Sequence, residues 1–274
     1  MRSFLKTITM MAAFVLLFSS CASLSGMGVG RVKKYTLHSE RLPETFDGVR
    51  VAFLSDLHYP SLFTAKRLGK LVAKLRKTAP DALLFGGDYV PSEVYLDTLF
   101  SSFSSVETTF GKFAVIGNHD YVRRAAVEAA MSAAGIRLLA DDREYLVRGG
   151  DSLCVAGAYN SFKIGEASEA FVASLPGSLF TIVLSHTPDF AQDTHLACDL
   201  VLSGHTHGGQ VSFLHLYTPV KNTKYKTRFL RGLNRTDEGV PVITTNGVGT
   251  SRRKVRFCVP SEIVVVTLRC ASRK

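Results

Sequence analysis

Short apolar runs and helical repeats alternate along most of the chain. Ten stretches rich in β-branched or aromatic residues predict strands: Val49–Ser55, Ala82–Gly86, Phe113–Ile116, Arg137–Leu139, Leu153–Gly157, Phe180–Ser185, Leu200–Ser203, Val211–Phe213, Val240–Thr245 and Ile263–Leu268. Three segments carry the helical period instead. In Ala65–Lys77, Leu68, Leu71, Val72 and Leu75 recur on one face, with Lys66, Arg67, Lys70, Lys74 and Arg76 mostly outside. Arg124–Ala134 is alanine-rich and stops at Gly135, and Glu166–Leu175 stops at Pro176-Gly177. Early strands separated by helices, followed by a run of strands, predict an α/β core with mixed rather than purely parallel sheets.

The N-terminus departs from this pattern. Arg2 and Lys6 precede an apolar run from Ile8 to Phe18, and no charge occurs between Lys6 and Arg31. A basic start, a short apolar stretch and then small residues form the layout of a secretory signal. Leu17-Phe18-Ser19-Ser20-Cys21 resembles a bacterial lipobox, with Phe18 where leucine is usual, so cleavage before Cys21 would leave a lipid-modified N-terminus. The alternative is an uncleaved membrane anchor over Thr7 to Gly30, although its Ser/Gly-rich second half suits hydrocarbon poorly. The expected organisation is a signal or anchor over residues 1–21, a lead-in over 22–44 that is extended from Arg31 to Arg41, and one domain over 45–270. The body is expected outside the cytoplasm beside a membrane, facing periplasm or exterior; an inner-membrane anchor facing the cytoplasm is the other arrangement.

At 274 residues, 46% hydrophobic and 20% charged, the chain can bury a large core, and disorder or a repeat architecture is excluded. Cys154, Cys198, Cys258 and Cys270 show no CxxC spacing, so neither a thiolate zinc site nor a redox motif is indicated; Cys154 reads as a buried thiol. The net charge of +10 arises entirely beyond residue 220, where only Asp237, Glu238 and Glu262 are acidic. A basic end on a neutral body suits an anionic partner or a solubilising rim.

The candidate chemistry sits where predicted strands end. Ser55-Asp56-Leu57-His58, Gly86-Gly87-Asp88, Gly117-Asn118-His119-Asp120, Ser185-His186 and Gly204-His205-Thr206-His207-Gly208-Gly209 each follow an apolar run. In open α/β sheets such loops are where ligands bind. Hard oxygen donors mixed with imidazole, and no thiolate, suit Mn, Fe, Zn or Co. So many donors exceed what one ion needs; two ions sharing a carboxylate would use them.

This ordered set resembles the calcineurin-like metallophosphoesterase superfamily. Gly204-His205-Thr206-His207-Gly208-Gly209-Gln210 and the ending Gly247-Val248-Gly249-Thr250, Val255-Arg256-Phe257 and Pro260-Ser261-Glu262-Ile263 resemble its bacterial YaeI/YkuE-like branch of membrane-associated phosphodiesterases, with Ser261 where that branch more often has proline. The resemblance implies two stacked mixed β-sheets flanked by helices. It further implies two divalent metal ions, the first held by Asp56, His58 and His207, the second by Asn118, His186 and His205, with Asp88 bridging. A hydroxide formed between the ions would attack phosphorus of a phosphodiester in line with the leaving oxygen. His119, beside a ligand without being one, would assist the leaving group, and Asp120 would either orient His119 or cap the loop. His38, His195 and His215 read as structural.

Arg252, Arg253 and Lys254, with Arg256 beside them, are expected to flank the cleft and bind substrate phosphate or acidic headgroups, as are the cations from Lys221 to Arg235. The substrate is expected to be a phosphate ester, lipid-linked in one version, with a membrane surface as partner. Nucleic acid is not expected, because no recognised module accompanies the charge. Competing readings are a pyrophosphatase acting on a lipid-linked nucleotide, of the UDP-2,3-diacylglucosamine hydrolase type, a phosphomonoesterase or phosphoprotein phosphatase, and a non-catalytic scaffold that binds anionic membrane.

Overall fold

Val51 and Phe53 face one way from their strand and Ala52 and Leu54 the other, and all four are buried. A strand covered on both faces must be apolar throughout, which is why the central runs of this chain lack polar alternation. The computed structural model describes residues 29–60, 63–213, 216–251 and 254–271, together with Ile8, Thr9 and Met11. The signal or anchor segment (apart from those three residues), His215, Arg252 and Arg253 lie outside the described residues. No helix among the described residues is long and apolar enough to cross a membrane.

Twelve strands form two six-stranded sheets. The strands are β1 (Arg31–Ser39), β2 (Arg50–Leu54), β3 (Ala82–Phe85), β4 (Lys112–Ala114), β5 (Arg137–Leu138), β6 (Asp142–Arg148), β7 (Asp151–Gly157), β8 (Thr181–Ser185), β9 (Leu200–Ser203), β10 (Gly232–Arg235), β11 (Pro241–Thr244) and β12 (Glu262–Cys270). The first sheet runs β1-β12-β2-β3-β4-β5 and the second β10-β11-β9-β8-β7-β6. Strands β2 to β5 are mutually parallel, as are β7, β8, β9 and β11, while β12, β6 and β10 add antiparallel pairs. Both sheets are therefore mixed.

Among residues 29–271 the α-helices are α1 (Ala65–Thr78), α2 (Leu96–Ser101), α3 (Arg124–Ala133), α4 (Glu166–Ala173) and α5 (Asp189–Asp193). Leu68, Leu71 and Leu75 of α1, Leu99 and Phe100 of α2 and Val127 and Met131 of α3 cover Ala52, Leu54, Leu83 and Phe85 on the outer face of the first sheet. Val51, Phe53, Leu84 and Phe113 face Leu153, Val155, Ile182, Leu184 and Leu202 across the gap between the sheets. Phe171 of α4 and Phe190 of α5 cover Ala156, Val183 and Val201 on the far side. The result is a helix–sheet–sheet–helix sandwich, in which each buried Leu or Phe contributes about 1.5–3 kcal/mol over exposure.

Some expectations are corrected. Of Arg31–Arg41, only Arg31–Ser39 is extended, Glu40 and Arg41 being in a turn, and this stretch is part of the first sheet, because β1 pairs in parallel with β12 along its full length. Strands β6 and β10 and helices α2 and α5 were not anticipated from the sequence. Val211–Phe213 is not a strand of either sheet. It makes isolated bridges, Val211 to Phe257 and Phe213 to Tyr217, because positive φ at Gly209 and Gln210 turns the chain away. The four described cysteines are free thiols, and burial pushes that of Cys154 up to about 11.

Candidate metal centre

The C-terminal ends of β2, β3 and β4 in one sheet and β8, β9 and β11 in the other converge, and hydrogen bonds join their loops. Asp56 N–H donates to the Gly87 carbonyl, Gly204 N–H to His186, and Val248 and Gly249 N–H to Ser55 and Asp56. Five of the residues these loops present have left-handed backbones: Asp56, His58, Asp88, His205 and His207, with φ between 43° and 67°. Each costs about 1 kcal/mol or more, and such strain collects at functional sites. At two positions glycine is required. A Cβ on Gly204 would lie 2.0 Å from Ser55 Oγ and 2.4 Å from Asp56 Oδ2, and one on Gly87, whose φ is +95°, would lie 2.4 Å from Gly117 N.

Two trios of donors result, Asp56 with His58 and His207, and Asp88 with His186 and His205. Within each, the ligand atoms lie within 4.8 Å of one another, as one small cation requires. Asp88 joins the trios, its Oδ2 standing 3.6 Å from His58 Nε2 and 3.5 Å from His186 Nε2. Its Oδ1 accepts the His119 backbone N–H at 3.0 Å. Asp56 accepts the His205 N–H on both oxygens and lies 3.5 Å from His207 Nε2.

The donor set is suited to cations. His186 Nδ1 donates to the Gly86 carbonyl at 2.6 Å, which leaves Nε2 facing Asp88, fully buried and without a hydrogen-bond partner. A second-shell carbonyl that fixes the tautomer in this way is how metal-bound histidines are oriented. Burial lowers His58 to about 4 and His205 to about 3, and takes His207 well below its ordinary value, so three imidazoles are neutral. Burial alone would raise the Asp88 carboxyl, but His186, His58 and His119 hold it well below the ordinary carboxylate range.

The sequence profile of the calcineurin-like phosphoesterase family matches residues 49–209. The chain belongs to this family. Metallophosphoesterase YkuE of Bacillus subtilis is 28% identical over 243 residues, covering 86% of this chain and 84% of that protein. Phosphodiesterase YaeI of Escherichia coli is 31% identical over 214 residues, covering 73% and 75%. The solved structure of the phosphopantetheinyl hydrolase of Mycobacterium tuberculosis superposes with a TM-score of 0.48 at 11% identity, covering 74% of this chain and 91% of that one.

The remaining predicted site residues of this phosphoesterase fall in different places. Asn118 and His119 line a cavity of about 460 Å3 together with His58, Arg123 and Thr250. The His119 ring is half exposed, with Nε2 4.0 Å from Asp88 Oδ2. Asp120 caps the loops: its carboxylate is fully buried and accepts the N–H groups of Asp88 at 2.7 Å, Gly117 at 2.8 Å and Tyr89 at 3.1 Å. It ties two ligand loops together through their backbones rather than through the His119 ring. Lys254 is exposed. Arg256 leaves the expected basic cluster altogether, being buried behind His207. Of the other C-terminal cations, Lys224 pairs with Asp193 and Arg228 with Asp237.

Phe162 was missed. Its ring packs edge-on against His205 at 4.8 Å, in the loop after β7. The signal available was position: the same rule that singled out the other loops applies to the end of a parallel strand at Gly157.

Proposed function

We propose that the chain is a phosphodiesterase dependent on two divalent cations, with Asp56, His58 and His207 holding one, Asn118, His186 and His205 the other, and Asp88 shared. The observation that carries this reading is the position of Asp88 Oδ2 between His58 Nε2 and His186 Nε2, at 3.6 and 3.5 Å. The bound pair supplies Lewis acidity at the phosphoryl oxygens and acidifies a water molecule; Mn, Fe, Zn and Co all suit the donors. The chain's own contribution is to fix that pair, to keep three imidazoles neutral and to offer His119 as the proton donor to the leaving alcohol. Diester preference is supported by the name of the YaeI relative and by two open cavities beside the first trio, one reaching His207 and the other His58, which leave room for two ester substituents.

The test compares hydrolysis of bis-p-nitrophenyl phosphate and p-nitrophenyl phosphate with Mn, with Zn and with no metal, for native protein and Asp88→Asn. Metal-dependent diester cleavage, with bound metal falling from about two ions per chain to about one or fewer in the variant, is expected. Equal metal content in both proteins, or monoester preference, would overturn the reading. We also propose export and lipid attachment at Cys21, supported by the N-terminal pattern; the cellular protein should incorporate labelled palmitate, and Cys21→Ala should not.

A further inference from the structure

A cavity of about 410 Å3 adjoins the metal centre at Thr206 and His207, and its walls are mainly apolar, whereas the cavity that contains His119 is of mixed character. Thr206 and His207 form its inner end, and Val211, Phe213, Pro219, Val220 and Val255 line it. Phe213, Val220 and Val255 are each about half exposed, at 45%, 51% and 47%. Tyr217, exposed as well, stacks on Phe213 at 6.2 Å. Four of the thirteen large apolar side chains that are exposed among the described residues thus gather around one concavity. Apolar surface in a concave site, unlike a scattered exposed valine, marks a binding surface.

Local structure holds this surface open. Along Val211-Ser212-Phe213 the serine is buried and the phenylalanine faces outward, the reverse of what core formation favours. Ser212 is fixed inside by a 3.0 Å hydrogen bond from Thr218 Oγ1 and by its own N–H to the Phe257 carbonyl. The Arg231 guanidinium reaches Thr218 Oγ1 at 3.2 Å. Gln210 Oε1 accepts the Ser251 N–H at 2.9 Å, tying one wall to the other. Ser251 borders both this cavity and the one that contains His119 and Arg123.

We infer that this cavity is a subsite for an alkyl or acyl chain carried by the phosphodiester substrate, so that the preferred substrate is an asymmetric diester with one apolar and one polar ester group. The inference rests on the phosphodiesterase reading and adds the substrate class. The exposed Lys221 and Lys254 adjoin the lining residues Val220 and Val255 in sequence and suit the anionic surroundings of a phospholipid-like molecule. With the chain in the apolar cavity, the other alcohol would occupy the neighbouring cavity, where Asn118, His119 and Arg123 supply polar groups. Water forms a new P–O bond, the P–O bond to the polar alcohol breaks, the alcohol leaves with a proton, and the alkyl phosphate monoester remains.

The test uses metal-loaded full-length protein and alkyl p-nitrophenyl phosphates from ethyl to hexyl, below their aggregation limits. Turnover of bis-p-nitrophenyl phosphate establishes hydrolysis separately, so failure of the function and failure of the subsite are distinguishable. The expected result is a rise in kcat/KM of about threefold per methylene, about 10²-fold across the series. Val220→Asp and Phe213→Ser should flatten that slope, while Val147→Ser, at a more exposed valine on β6, should not. Binding of decyl phosphate by calorimetry gives a second readout, tighter than ethyl phosphate in native protein and weakened by Val220→Asp whether or not turnover occurs. A flat series with intact hydrolysis, or a slope unchanged in both variants, would overturn the subsite. So would variants that lose binding to phosphatidylglycerol vesicles but keep the slope, which would make the patch a membrane-docking surface.

Discussion

Arg256 Nη2 lies 3.3 Å from His207 Nδ1, while Nε2 of the same ring stands 3.5 Å from Asp56 Oδ1. The imidazole is thus held between a buried guanidinium behind and a candidate ligand carboxylate in front. Arg256 also donates to the carbonyls of Asn246 at 2.7 Å, Gly249 at 2.6 Å and Val259 at 3.3 Å, closing the loop between β11 and β12 against the centre. Burial lowers the guanidinium to about 10, so it stays charged at pH 7.

Arg256→Lys should therefore weaken metal binding by about 10- to 100-fold, the usual effect of losing an outer support. Lysine keeps the charge but cannot span a planar set of carbonyls. Activity titrated against Mn would show the shift, with partial recovery at saturating metal. An unchanged titration would mean that Arg256 serves folding alone.

His119 lines the cavity beside His58 and donates its backbone N–H to Asp88, so its side chain can be removed without deleting a proposed ligand. In His119→Ala, cleavage of an alkyl leaving group should fall by about 10²–10⁴-fold, and cleavage of p-nitrophenolate much less, because a good leaving group needs no proton. Metal content should stay at the native value. Equal losses for both substrates would count against proton donation by His119.

The central strands were legible in the sequence and the edges were not, for one physical reason. Strands β2, β3, β8 and β9 are buried on both faces and appear as unbroken apolar runs. Strands β1, β6 and β10 are three of the four sheet edges and half exposed, and β1 and β6 are rich in charge. Moreover, β1 finds its partner only at the far end of the chain, in β12. The donor residues could be read because strand-end loops announce themselves by Gly, Asp and His. Arg256 could not: nothing local separates a guanidinium that will be buried among carbonyls from the solvated cations beside it. Val211–Phe213 misled because its alternation is genuine but faces a cavity instead of a sheet.

Asp120 is expected to act on stability more than on chemistry. Its two oxygens accept three backbone N–H groups, and in Asp120→Asn one oxygen becomes an NH2 that faces at least one of those donors. Leaving a buried N–H unsatisfied costs about 1–3 kcal/mol, or a fall in Tm of about 2–10 °C for a chain of this size. Calorimetric unfolding measures it directly. An unchanged Tm with abolished turnover would restore the catalytic reading of Asp120.

The two trios should respond to pH differently. Burial alone would lower the His186 imidazole, but Asp88 and Asp56 raise it to about 9, and its Nδ1 proton is committed to Gly86. At pH 7 a cation entering the second trio must therefore displace the Nε2 proton. Below pH 9 that proton competes with the metal, so affinity at this trio should rise about tenfold per unit from pH 7 to 9. In the first trio His58 and His207 are already neutral, and Asp56, raised by burial to about 6, has lost its proton by pH 7. Affinity there should be flat over the same range. Before a cation binds, the raised His186 contributes stability fully below its unfolded value of 6.5 and loses it as pH climbs through 9. Added Mn should consequently raise Tm more at pH 9 than at pH 7. Calorimetry at pH 7 in buffers of different ionisation enthalpy should find about one proton released at one of two binding steps. Release at both steps, or at neither, would contradict the arrangement of His186 between Gly86 and Asp88.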